Sequence, residues 1–216
     1  MKTIFAIAAM AVVGSANALT IDNFTTVSSV SILSGVGIAS GSASGAGILG
    51  GERDIQVQVL ANPLNVKSEW EQTSGWSVGS NGLFADSVMR LQYDGADGGT
   101  FGGAGSGSNL GLGGNNIIVV PFFGSDLNIT VNVTTMTSGS VTSSVTLVHP
   151  GGAANTLSFT LSAAAAATAD SLTISFDGVP SSDFAIGPIT AVPEPTTMIV
   201  LGGALFGIAR KRRNRA

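Results

Sequence analysis

Leu127, Ile129, Val131 and Val133 alternate without a break with Asn128, Thr130, Asn132 and Thr134. A period of two puts one set on each face of a β-strand, so an apolar core lies on one side and water on the other. The same pattern recurs at Ile55, Val57 and Val59, interleaved with Gln56 and Gln58, and at Met89, Leu91 and Tyr93. Val141, Val145 and Leu147 are expected to share a face, as are Leu172, Ile174 and Phe176. Ile117 to Val120 runs apolar without interruption up to Pro121, which predicts a short strand buried on both faces. Turn residues separate these runs, as at Asp94-Gly95 and at His149-Pro150-Gly151-Gly152. No segment has the 3.6-residue periodicity of a long amphipathic helix, and Ala163 to Ala167 is expected to form one helical turn or a tight loop. Many short strands predict an all-β fold, an antiparallel β-sandwich of jelly-roll-like form. Gly35 to Gly51 and Gly95 to Gly114 are rich in Gly and Ser and are expected to be long loops or mobile edges.

The chain contains no cysteine, so neither disulfides nor thiol chemistry hold or serve the fold. Between residues 19 and 195 the basic residues are Arg53, Lys67 and Arg90, against all thirteen acids, which leaves the body near −10. A body of that charge repels nucleic acid and anionic membranes.

The two ends are of different character. Lys2, the apolar run Ile4 to Val13, and Ala16-Asn17-Ala18 form the charged, apolar and small-residue regions of a secretory signal peptide spanning residues 1–18. Ala16 and Ala18 set its cleavage site, and the secretion translocon and signal peptidase are the partners it implies. The exported domain then covers 19–190 and a tail covers 191–216. In that tail Val192-Pro193-Glu194-Pro195 precedes an apolar stretch at 196–209 and a basic cluster at 210–215: Arg210, Lys211, Arg212, Arg213 and Arg215. Pro193 and Pro195 fix φ and keep their predecessors out of the helical region, so 192–195 is expected to be extended. Pro195 is suited to open the helix that follows. From Pro195 to Ala209 the helix would reach about 22 Å at 1.5 Å per residue, short of a bilayer core of about 30 Å. Such a span suits transient residence better than permanent anchoring. The basic cluster holds the end of the chain on the cytoplasmic side, with the body outside.

This order of Pro-Glu-Pro, short hydrophobic helix and terminal Arg/Lys cluster resembles the PEP-CTERM sorting domain of exported proteins of Gram-negative bacteria. Tails of this kind also carry the label "ice-binding protein C-terminal", which describes the tail and not an activity of the body. The resemblance implies recognition of Pro193, Glu194 and Pro195 by an exosortase, a membrane protease. It would cut near them and release the body from the inner membrane to the cell surface or the exopolysaccharide matrix. The body itself resembles a loose group of exported jelly-roll-like domains carried ahead of such tails. The residues behind that likeness are Ile21-Asp22-Asn23-Phe24, Gly50-Gly51-Glu52-Arg53-Asp54, Tyr93-Asp94-Gly95-Ala96-Asp97-Gly98 and the strand Leu172 to Gly178. The group implies a fold similar to carbohydrate-binding sandwiches, without a defined ligand.

Candidate chemistry in the body is sparse. His149, the lone histidine, is expected at a surface turn, which leaves a Ser-His-Asp triad without a base. Zinc-type ligand sets are missing from the sequence. Glu52, Asp54, Glu69 and Glu71 have no spacing that favours glycoside cleavage, and strand period puts Glu69 and Glu71 on the face opposite Trp70. Asp94 and Asp97 offer hard oxygen ligands on a glycine-containing loop, a candidate calcium site that Asp22 or Asp177 would complete. Trp70 and Trp76 are the candidate stacking platforms for sugar, and Glu52-Arg53-Asp54 reads as a local ion-pair cluster. The expected function is that of a non-enzymatic exported surface or matrix protein. The alternatives are an exopolysaccharide-associated carbohydrate-binding module and a permanently tethered surface protein.

Overall fold

The computed structural model describes residues 18–98, 101–102 and 107–194. The chain order opens with β1 (Leu19–Asp22), β2 (Ser28–Ile32), β3 (Gly37–Ser44), a 3-10 turn (Leu49–Gly51), β4 (Glu52–Ala61), β5 (Ser68–Thr73), β6 (Trp76–Asn81) and β7 (Asp86–Tyr93). It continues with β8 (Ile117–Ser125), β9 (Ile129–Thr137), β10 (Ser140–His149), β11 (Gly152–Thr160), α1 (Ala163–Thr168), β12 (Ser171–Gly178), β13 (Asp183–Ile186) and β14 (Ile189–Val192). All pairings are antiparallel, and they form two sheets. One is six-stranded in the order β10-β9-β12-β7-β4-β3. The other is eight-stranded, running β1-β14-β8-β13-β6-β5-β2 with β11 on the free side of β8. The expected sandwich is therefore present.

Alternation builds the core. Ile55, Val57, Met89, Leu91, Ile129, Val131, Val133, Leu172, Ile174 and Phe176 project from the six-stranded sheet. Val30, Trp70, Ile118, Val120, Phe122, Phe159, Phe184 and Ile186 meet them from the other. The aromatic centre is tightly arranged: Trp70 lies edge-on to Phe176 at 5.2 Å and to Phe184 at 5.9 Å, while Phe176 and Phe184 stack at 5.1 Å. Gly79 makes this possible, since a Cβ there would come within 2.4 Å of the Phe184 ring. On the outer face of the six-stranded sheet, Arg90 donates to Gln56 and Gln58 (both 2.8 Å), and Asn132 donates to Ser144 (3.0 Å) and Thr146 (2.7 Å).

Several expectations need correction. Gly37–Ser44, expected within a loop, is an edge strand paired along its whole length with β4. Apart from the exposed Ile38 its residues are Gly, Ala and Ser, which give no apolar alternation, so backbone pairing rather than burial forms it. The run at Ile117–Val120 is not buried on both faces: β8 alternates and continues through Pro121 to Ser125. Pro121 is tolerated because its carbonyl faces the Gly187 N–H at 2.8 Å, where the neighbour changes from β13 to β14 and no ladder donor is needed. A register shift at Val141/Ser143 turns Val141 out to solvent, away from the face of Val145 and Leu147.

Glu52-Arg53-Asp54 is not a local ion-pair cluster, because adjacent strand residues point to opposite faces. Arg53 shares the row of Ile55, Val57 and Val59 and is fully buried between the sheets. There its Nη1 meets Asp22 Oδ2 at 2.6 Å, and its Nη2 donates to the Thr26 carbonyl (3.0 Å) and the Ser28 hydroxyl (2.8 Å). Asp22 also accepts from the Tyr93 hydroxyl (3.0 Å) and from the Phe24 N–H (2.8 Å). The Phe24 ring lies under the guanidinium at 5.5 Å. Burial, followed by the Asp22 charge, pushes the Tyr93 phenol well above its ordinary value.

His149 is likewise not at the surface. It continues the row of Val145 and Leu147, is fully buried, and stacks on Phe122 at 4.4 Å. Its Nδ1 accepts from the Gly151 N–H (3.2 Å) and is 2.8 Å from the Ser125 hydroxyl. Burial lowers its pKa from 6.5, so the fold favours the neutral ring.

Removing one partner of a buried ion pair strands the other, so Arg53→Ala should cost about 3–5 kcal/mol of unfolding free energy in a denaturant titration. Lys67→Ala, which breaks only the surface pair with Glu69, should cost below about 1 kcal/mol. The His149 contribution is complete above about 6.5 and is lost as pH falls through the lower folded value. Wild type should therefore lose more stability than His149→Gln between neutral pH and pH 5. Equal pH slopes for the two chains would contradict this assignment.

Candidate functional site

Strand alternation that buries Arg53 sends Glu52 and Asp54 the other way, toward the loop that follows β7. Asp54, Asp94 and Asp97 each bring a carboxylate oxygen to within 4.8 Å of the others. Asp54 and Asp94 are buried (1% exposed each), whereas Asp97 is exposed. Asp94 accepts from the Gln92 side chain at 2.8 Å. Glu52 accepts from the Gly98 N–H at 3.0 Å, which ties the loop to the start of β4. Gly50, at φ 73°, packs against Gly95 so closely that a Cβ would meet its backbone at 3.0 Å. Burial, then the charges of Asp94, Glu52 and Asp97, pushes the Asp54 carboxyl up to about 7. Burial, then Asp97 and Glu52, pushes Asp94 up to about 6. These groups repel one another and need a proton or a cation.

The expected pair Asp94 and Asp97 is thus brought together, but with a different third member. Asp22 is committed to Arg53, Tyr93 and the Phe24 N–H. Asp177 lies on β12 opposite Val88 and Thr130, where Asp86 and Arg90 are its charged neighbours. Asp54 was legible in principle, because it shares its face with the outward Gln56 and Gln58, but its partners Asp94 and Asp97 lie 40 and 43 residues further along the chain.

Trp70 cannot serve as a sugar platform in this fold: it is fully buried, and its indole N–H donates to the Ser77 hydroxyl. Trp76 is 42% exposed and borders a shallow open groove with Ser80, Asp126, Asp183 and Ala185. Ser125, another lining residue, forms the dyad with His149, yet the His149 Nε2 has no hydrogen-bond partner, so no carboxylate orients the ring as a triad requires.

At the junction with the tail, Val192 is the final residue of β14, opposite Ile117, and Pro193 ends the strand. Glu194 accepts from the Asn116 side-chain amide at 2.6 Å, and that amide also donates to the Leu161 carbonyl at 3.0 Å. Glu194 is therefore held against the body. Leu19 at the head of β1 lies opposite Ala191, so both ends of the domain leave from one corner. Ala18 is exposed there. Ala16, Pro195, Arg210, Lys211, Arg212, Arg213 and Arg215 lie outside the described residues. Among the described residues no helix is long and apolar enough to cross a membrane.

No curated protein matches the chain in sequence. Among solved structures, the family 11 carbohydrate-binding module of a Clostridium thermocellum cellulosomal cellulase is 9% identical, with 84% of this chain and 97% of that one covered and a TM-score of 0.37. TmCBM61, solved with β-1,4-galactotriose, is 11% identical, with coverage of 72% and 88% and a TM-score of 0.34. Similarity at that level carries no information about a ligand. Residues 191–213 match the PEP-CTERM protein-sorting motif, so the tail of this chain is a PEP-CTERM sorting signal.

Proposed function

We propose that this is a non-enzymatic exported protein whose tail is recognised and cut by an exosortase-type protease, which leaves the β-sandwich on the cell surface or in the exopolysaccharide matrix. The carrying observation is the motif at 191–213, which begins where β14 ends. Val192 is the last residue of β14, so a cut after it removes none of the described strands. Pro193 cannot donate to a ladder and limits the sheet at that point. The signal peptide at 1–18 and the cationic stop at 210–215 support the same orientation, with the body outside. The 12-residue apolar run Met198 to Ala209 supports release over permanent tethering.

A second reading is favoured by Trp76, whose partly exposed ring beside Asp126 and Asp183 offers a stacking surface and polar partners for a sugar. In this reading the body binds exopolysaccharide after release.

Intact-mass measurement of protein shed from cells should give a chain lacking the first 18 residues and the basic cluster. Exchanging Pro193 and Pro195 for Ala should leave Arg215 on the chain. Wild-type protein that still carries Arg215 would make it a tethered protein instead. On a glycan array, carbohydrate binding requires signal from wild type and its loss in Trp76→Ala; silence from both removes the second reading.

A further inference from the structure

We infer that Asp54, Asp94 and Asp97 form a calcium site that clamps β4, the end of β7 and the loop after it. The inference is independent of the sorting route. Its first support is spacing. Two oxygens on opposite sides of one Ca²⁺, at about 2.3–2.6 Å from it, are about 4.6–5.2 Å apart. The three carboxylates fall within 4.8 Å and can touch one such ion. Mg²⁺, at about 2.0–2.1 Å, spans only about 4.0–4.2 Å and demands a stricter octahedron. An all-oxygen donor set is unsuited to zinc.

The second support is independent of the clustering. Asp54 is 1% exposed, and neither of its carboxylate oxygens has a hydrogen-bond partner. A buried carboxylate is normally hydrogen-bonded, paired or bound to metal. Its neighbour in sequence, Arg53, cannot neutralise it, because that guanidinium points between the sheets and is held by Asp22, Thr26 and Ser28. The charged groups acting on Asp54 are Asp94, Glu52 and Asp97, all acidic. An oxygen-seeking divalent cation satisfies Asp54 and relieves that repulsion together. Glu52 and Gly98 meanwhile hold the loop where Asp97 reaches the site.

The test uses the full-length chain in detergent micelles, stripped with chelator and titrated with CaCl₂ up to roughly 10 mM, above the weakest extracellular calcium sites. Thermal unfolding and calorimetry are read together. Calcium should raise the melting midpoint by several degrees, and MgCl₂ by less. Asp54→Asn should abolish the rise, and without calcium it should melt no lower than wild type, since one repelling charge is gone. Asp97→Asn, on the exposed loop, should weaken the calcium midpoint at least tenfold and decides the matter if Asp54→Asn does not fold. No response in wild type, or the same response in wild type and Asp97→Asn, would overturn the site.

Discussion

The buried contact between Arg53 and Asp22 is, among the described residues, the ion pair that joins the two sheets. Asp22 ends β1 in one sheet, Arg53 lies on β4 in the other, and Tyr93 closes the triangle from β7. Ion pairs taken out of water stabilise little by themselves. What this one does is specify. Each Asp22 oxygen and each terminal guanidinium nitrogen has a defined partner, so a sheet displaced by one residue would strand a charge in the core. In a protein without cysteine, this is the covalent cross-link's nearest substitute for fixing how the two sheets register.

The same strand then sets up the acidic cluster. Alternation does not allow Arg53 to serve both faces, so its charge is spent inside while Glu52 and Asp54 are left outside with Asp94 and Asp97. One short run of sequence, Glu-Arg-Asp, thus separates charge across a sheet. On the inner face Arg53 is paired with Asp22. On the outer face neither carboxylate oxygen of Asp54 has a hydrogen-bond partner.

Much of the fold was legible where side chains alternate in hydrophobicity. The rows Ile55-Val57-Val59, Met89-Leu91-Tyr93 and Leu172-Ile174-Phe176 all face the core as expected, because burial of one face is what produced the pattern. The failures share a cause. Arg53 and His149 occupy the next positions of apolar rows, yet their polarity hides the continuation, and only partners distant in sequence (Asp22 and Ser125) make burial tolerable. β3 was hidden for the opposite reason, since beyond a lone Ile38 its Gly, Ala and Ser carry no hydrophobic contrast and its pairing is a backbone matter. In the candidate site, Asp94 and Asp97 could be found by proximity along the chain. Asp54 needed the β4–β7 register, which aligns Asp54 with Gln92. Trp70 failed as a sugar platform because a large aromatic on a central row is worth more to the core than to a surface.

The position of β14 has a consequence for assembly. It is inserted between β1, the first strand made, and β8. β1 pairs with no other strand, so in a chain threaded outward from its N-terminus it stays without a strand partner until residues 189–192 have emerged. Pairing of β14 with β1 joins the two extremities of the domain and is a contact of near-maximal sequence separation, the kind that forms slowly. The larger sheet is thus completed only by the strand that runs straight into the sorting signal.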